Sequence, residues 1–199
     1  MKILVTGAAG YMGSQVTRHL LQRGHEVRVL DSLMYGGSSL LGIWHQPGFE
    51  FTRGDVRAIE DLDQALEGVD GVVHLAAIVG DPACARQPEL ARDVNLDSAL
   101  RVYQLSRQWG AQRFIFASTC SNYGKMSVDN QLATEESDLQ PLSLYSETKV
   151  AVERSLLDTD PGDAPAITLL RFATLFGLSP RMRFDLTVNQ FTMELATKG

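Results

Sequence analysis

Three glycines at even intervals, Gly7, Gly10 and Gly13, follow directly on the apolar run Lys2–Thr6 and open a helical pattern. No other feature of the chain narrows its fold so far. The run reads as a strand. Met12, Val16 and Leu20 recur at i, i+4 and i+8, one buried stripe of a helix that stops near Gly24. A strand that enters a helix through such a turn can hold an anionic group. One glycine permits the tight turn, the next lets phosphates reach the backbone where no Cβ intrudes, and the third lets helix and strand pack closely. The helix N-terminus adds free N–H groups and a partial positive charge. The spacing is Gly-x-x-Gly-x-x-Gly, not Gly-x-Gly-x-x-Gly, and an ordinary glycine turn also satisfies it.

The alternation continues along the chain. Glu26–Leu30, Phe49–Asp55, Asp70–Ala76, Arg113–Thr119 and Ala166–Phe172 read as strands; Pro88–Trp109, Ser143–Leu157 and Leu186–Ala196 read as helices. Asp70–Ala76 is nearly all apolar, which suits a strand buried on both faces. The expected fold is α/β, a doubly wound parallel sheet of the Rossmann type. The segments Ser32–Gly48 and Lys125–Pro141 read as long loops, which in such folds are functional. The 199 residues are 44% apolar and 21% charged, the balance of a soluble globular protein. No apolar run approaches the ~20 residues of a membrane span, and the start does not read as a signal peptide. A net charge of −6 without a basic cluster argues against a nucleic-acid or anionic-membrane surface. Any anionic ligand must then be held by local donors. Cys84 and Cys120 lie far apart and in no metal-ligand spacing, so no metal site is expected, and a reduced, cytoplasmic protein is the simplest reading.

Asp31 ends the second strand, 18 residues after Gly13. A carboxylate there accepts hydrogen bonds from adenosine ribose hydroxyls and repels a 2′-phosphate, which favours NAD over NADP; a turn-forming aspartate is the plainer alternative. Asp55 and Val56, after the third strand, are placed to sit beside adenine. Tyr145 and Lys149 share one helix face, four residues apart. A free tyrosine titrates near pH ~10, and a neighbouring ammonium favours its phenolate. The phenol can then move a proton on or off a substrate hydroxyl while the nicotinamide exchanges a hydride. A surface pair is the plain reading of the two residues alone. Ser118 and Thr119 end the fifth strand, where open α/β sheets build ligand sites.

Taken together, Thr6-Gly7-x-x-Gly10-x-x-Gly13, Asp31, Asp55-Val56, His74–Ala77, Ser118–Gly124, Tyr145-x-x-x-Lys149 and Leu169–Gly177 stand in order at suitable intervals. The set resembles the extended short-chain dehydrogenase/reductases, in their nucleotide-sugar epimerase/dehydratase branch. The resemblance implies tightly bound NAD, its pyrophosphate on Gly7, Gly10, Tyr11, Met12 and Gly13 and its adenosine ribose on Asp31. It implies Asp55 and Val56 at adenine, Leu75, Ala76 and Ala77 under the cofactor, and Asn95 and Ser118 beside it. Tyr145 would be the base, Lys149 would also grip the nicotinamide ribose, and Thr119 would be the active-site hydroxyl. His74 is expected to be structural.

Departures from the family pattern set limits. Cys120 and Ser121 stand where 4,6-dehydratases carry an Asp-Glu pair, Asn122 where valine is frequent, and Phe176 where tyrosine is common. Cys120 reads either as a substrate-facing thiol or as a small buried residue. Residues 1–177 are expected to form the NAD-binding domain with its Tyr/Lys pair. Residues 178–199 are expected to begin a substrate-binding portion, with the chain reading as a fragment or a short form. There Arg181 and Arg183 are placed to approach a nucleotide diphosphate and Asn189 a sugar or phosphate, or the stretch is a solvated linker. The expected activity is epimerisation of a UDP-, dTDP-, GDP- or CDP-linked sugar by transient oxidation, at C4. A 4,6-dehydratase, decarboxylase or keto-sugar reductase and a non-catalytic NAD-binding scaffold are the alternatives. The resemblance also suggests a homodimer through a four-helix bundle formed by Pro88–Trp109 and Ser143–Leu157.

Overall fold

A computed structural model describes residues 1–125, 132–160, 162 and 165–198. Six strands, β1 (Lys2–Thr6), β2 (Glu26–Asp31), β3 (Phe49–Arg53), β4 (Gly71–His74), β5 (Arg113–Thr119) and β6 (Ala166–Phe172), form one sheet in the order β3-β2-β1-β4-β5-β6. Every pairing is parallel. The strands therefore all end on one side, and the chain leaves β1 for opposite flanks of the sheet. That reversal, between β1 and β4, opens a crevice beyond Thr6 and His74.

Both faces of the central strands are apolar because helices cover both. Along β1 the side chains alternate. Leu4 packs with Leu62, Leu66, Phe114 and Phe116 on one face, and Ile3 and Val5 pack with Val27, Val29, Leu40 and Ile43 on the other. All four residues of β4 are buried, as its composition requires. The edge strand β6 alternates exposed and half-buried residues instead.

The helices are α1 (Tyr11–Gln22), α2 (Ile59–Leu66), α3 (Asp81–Arg86), α4 (Pro88–Arg92), α5 (Ser98–Gln108), α6 (Leu144–Leu157) and α7 (Thr187–Lys198). Three differences from the sequence reading matter for the site. The fully buried line of α1 is Gly13, Ser14 and Thr17, with Met12, Val16 and Leu20 half-buried on its flank; small residues bring the helix against the sheet, and larger ones cannot sit on that line. The span Pro88–Trp109 is interrupted by a π-turn, Asp93–Asp97. Helix α2, which buries Leu62, Ala65 and Leu66, and the short α3 fall where no helix was expected. At the start of α6, Ser143 and Ser146 form a reciprocal cap, each hydroxyl accepting from the other's backbone N–H at 3.3 and 3.1 Å. The loop Ser32–Gly48 contains a 3₁₀ turn, Ser38–Ile43, that buries Leu40 and Ile43. The loop Lys125–Pro141 lies in part outside the described residues.

Candidate functional site

The glycine turn shapes the crevice by its backbone. Gly7 has φ +72°, and a Cβ there would stand 2.7 Å from the Ala76 amide nitrogen. A Cβ on Gly13 would stand 2.2 Å from the Gly7 carbonyl oxygen. Both positions exclude any side chain. Gly10 is less crowded, with one contact at 3.1 Å to the same oxygen. Ser14 donates to the Gly10 carbonyl at 3.1 Å, the first such bond of α1. The amides of Tyr11, Met12 and Gly13 thus have no helical carbonyl behind them and remain for a ligand.

This turn is one wall of a cleft of about 570 Å³. Of the sequence-predicted residues, Gly7, Gly10, Tyr11, Met12, Gly13, Asp31, Asp55, Val56, Leu75, Ala76, Ala77, Ser118, Thr119, Cys120, Ser121, Arg181 and Arg183 line it. Asp31 is clamped at the end of β2. One carboxylate oxygen accepts from the Ala9 amide and the other from the Leu33 amide, both at 2.8 Å. Leu33 takes φ +58° to make that turn. Asp55 is paired with Arg57 at 2.7 Å, and this bond holds its carboxyl below the usual range. Arg57, Met34 and Tyr35 also line this end, none of them expected from the sequence. Arg181 lies over the Tyr35 ring, 4.8 Å from its centroid. Arg183 is paired with Asp185, which binds part of its charge within the chain.

At the other end stands the turn Cys120–Tyr123, a 3₁₀ turn capped by Thr119, whose hydroxyl accepts from the Ser121 amide at 3.2 Å. Cys120 is exposed there, and Cys84 is buried. Tyr145 and Lys149 approach from α6, behind the lining. The Lys149 ammonium donates to the Ala117 carbonyl at 2.9 Å and lies 5.9 Å from the Tyr145 ring centroid. Burial lowers the Lys149 amine to about 8, and its neighbours Cys84 and Glu153 oppose that. The sequence reading has this ammonium favouring the phenolate. In the structure burial wins and pushes Tyr145 up to about 12, with Cys84 adding to the rise and Arg183 opposing it. His74 is sealed in the sheet. Its Nδ1 meets the Thr6 hydroxyl at 2.8 Å, its ring lies between Phe114 and Phe116, and burial lowers it to about 3, so it stays neutral.

Two predicted residues act from outside the cleft. Asn95 sits in the π-turn. Its side chain accepts from the Ile78 amide at 2.8 Å and donates to the Ile78 carbonyl at 2.9 Å, pinning the segment after β4. Asn189, on α7, is buried. It accepts from the Gly177 amide at 2.9 Å and donates to the Tyr11 hydroxyl at 3.1 Å and the Arg183 carbonyl at 3.0 Å. These bonds strap the segment after β6 across the start of α1, and Tyr11 and Ser179 reinforce it. Among the described residues no cluster of three or more His, Cys, Asp or Glu could hold a metal ion.

Residues 3–198 match the model of the NAD dependent epimerase/dehydratase family. The chain belongs to that family. It is 32% identical to a UDP-glucose 4-epimerase of Lacticaseibacillus casei over 90% of this chain and 53% of that protein. Among solved structures, UDP-glucose 4-epimerase of Thermus thermophilus in complex with NAD matches with a TM-score of 0.80 and 32% identity, over 89% of this chain and 56% of that one. UDP-glucuronic acid 4-epimerase of Bacillus cereus, with UDP-glucuronic acid and NAD, matches with a TM-score of 0.86 and 27% identity, over 98% and 63%. The chain thus spans about half the length of the curated relatives it matches. No described helix is long and apolar enough to cross a membrane.

Proposed function

We propose that this chain carries the cofactor half of a nucleotide-sugar epimerase that oxidises a sugar carbon, C4, transiently and with retention of its NAD. One observation carries the reading. A single cleft gathers the side-chain-free glycine turn, the clamped Asp31 carboxylate and the Thr119–Ser121 turn, with Tyr145 and Lys149 directly behind. The glycine cradle and the free first-turn amides of α1 fit a pyrophosphate, and Asp31 keeps lone pairs for ribose hydroxyls. Asp55 and Val56 would flank the adenine, and Leu75, Ala76 and Ala77 would form the floor under the cofactor. Bound NAD⁺ supplies the hydride acceptor and a positive charge near the phenol.

Tyr145 takes the proton of the C4 hydroxyl, and Thr119 orients the oxygen that loses it. Burial raises the affinity of Tyr145 for its proton, and positive charge in the cleft would favour its phenolate. Lys149 donates to the Ala117 carbonyl and would also hold the nicotinamide ribose. The keto sugar would rotate and take the hydride back on its other face while Tyr145 returns the proton, so the two half-reactions cancel. Cys120 and Ser121 in place of a carboxylate pair leave no acid to expel water, which favours epimerisation over dehydration. Residues 1–177 form the cofactor side, and the segment from 178, with Arg181 and Arg183, begins the sugar side. Two copies pack through α5 and α6, where Leu157 is exposed, and both cysteines are unpaired, as suits the cytoplasm.

The test is incubation with UDP-, dTDP-, GDP- and CDP-sugars, read by mass spectrometry and NMR. An isomer of unchanged mass supports the proposal. Loss of water or of carbon dioxide makes the protein a dehydratase or decarboxylase instead. A net requirement for NADH makes it a reductase. NAD binding with no turnover of any sugar makes it a scaffold and overturns the proposal.

A further inference from the structure

Behind the Thr119–Ser121 turn lies a buried polar network that the proposed reaction does not use. Glu153 is the third residue of the α6 face that carries Tyr145 and Lys149, one further turn along. It is fully buried. Arg171, next to the last residue of the edge strand β6, grips it with Nη2 at 2.7 Å and Nε at 3.0 Å from the same carboxylate oxygen. Its other oxygen accepts from the Ser118 hydroxyl and, at 2.9 Å, from the Asn122 amide. The Asn122 side chain also donates to Ser118 Oγ at 3.0 Å, and the Asn122 backbone carbonyl accepts from the Gln140 amide at 2.9 Å. Ser118 and Asn122 bracket Thr119, Cys120 and Ser121 in the chain. Each end of the active turn is therefore tied to one carboxylate on the helix that bears the phenol. A valine at position 122 can make neither of these side-chain bonds.

We infer that Glu153 and Asn122 are positioning residues, a latch that holds the Thr119–Ser121 turn at a fixed depth against Tyr145. A buried carboxylate with four donors is a rigid reference point, since losing any donor leaves an uncompensated polar group. Without the latch the turn keeps its fold but loses its register with the phenol. The effect falls on the chemical step and spares binding. The inference rests on the reading of Thr119 as the orienting hydroxyl.

The experiment uses the full chain with Asn122→Val, which removes both side-chain bonds, and Glu153→Gln, which keeps one acceptor and removes the charge. Hydrogen–deuterium exchange is followed at the amides of Ser121, Gly124 and Gln140, along with the NAD dissociation constant and kcat and KM for the sugar that turns over. In Asn122→Val, exchange at those amides is expected to rise about tenfold and kcat to fall about tenfold, with KM and NAD affinity within about twofold of the parent. Exchange in β1 and α1 stays unchanged. Glu153→Gln falls between the parent and Asn122→Val. Parental exchange rates in both variants overturn the latch, and so does an unchanged kcat. If the parent chain turns over no sugar, the epimerase reading fails by itself and the exchange rates alone decide the latch.

Discussion

The two walls of the cleft are built by opposite means. The β1–α1 wall is made of backbone. Its closest approaches are set by glycine, and Gly7 and Gly13 are there because nothing larger fits. The β5–α6–β6 wall is backed by polar side chains, the buried Lys149, Glu153 and Asn122 and the half-buried Arg171, that meet from distant parts of the chain. The first wall suits a ligand that is the same in every turnover. The second can be altered residue by residue, and that is where this chain departs from its family pattern, at Cys120, Ser121 and Asn122.

The contrast breaks first if the second wall proves dispensable for chemistry. Tyr145→Phe keeps the ring and removes the proton carrier. Turnover of the substrate sugar is expected to fall about 10²–10⁴-fold, with NAD affinity within about threefold of the parent, by steady-state kinetics and fluorescence titration. Comparable activity would remove Tyr145 from the reaction. The next largest effect tests the first wall. Gly13→Ala drives a methyl to within 2.2 Å of the Gly7 carbonyl, so α1 must shift; NAD binding should be lost and stability should drop by about 1–3 kcal/mol. Gly10→Ala meets only a 3.1 Å contact. It should weaken NAD binding with little change in melting temperature. Equal melting losses in the two variants would mean that the turn is packed alike throughout. The third test returns to the polar wall. Glu153→Ala orphans the partly buried Arg171 and should cost about 3–5 kcal/mol, while the pair Glu153→Leu/Arg171→Met should recover much of that in chemical denaturation.

The same division decides how much was legible in the sequence. The strands, the parallel sheet and the glycine turn follow from local periodicity, and the cleft gathers most of the residues nominated for it. Local pattern failed where packing overrode it. Small residues, not Met12, Val16 and Leu20, form the buried line of α1. A π-turn interrupts an otherwise helical run, because Asn95 has to reach Ile78. Asn189 looked like a ligand group, yet its amide is taken up by Gly177, Tyr11 and Arg183. The Glu153–Arg171 pair left a trace that could have been read. One charge stands inside the apolar run of β6, and a carboxylate continues the Tyr145–Lys149 face. Which of several charges each would meet depended on the sheet order, which sequence periodicity does not specify.

The smallest expected effect separates the walls by pH. His74, beside Thr6 of the first wall, is lowered by burial from 6.5 to about 3. Lys149, of the second, is lowered from 10.5 to about 8. In both, the unfolded chain binds more protons than the folded one inside the window, so stability rises with pH there. The His74 contribution is complete above pH 6.5 and is lost as pH falls toward 3. The Lys149 contribution is absent below pH 8 and grows toward 10.5. Each slope is at most about 1.4 kcal/mol per pH unit. Acidic groups held low by ion pairs, Glu50, Asp55 and Asp185, add to the acid-side slope, so only a difference between variants isolates His74. Denaturation of the parent and of His74→Gln at a series of pH values should give curves that converge as pH falls from 6.5 and run parallel above it. Lys149→Met should diverge from the parent between pH 8 and 10.5 and in no other range. Curves parallel at every pH would mean that water reaches both groups, and the two walls would then differ in composition but not in dryness.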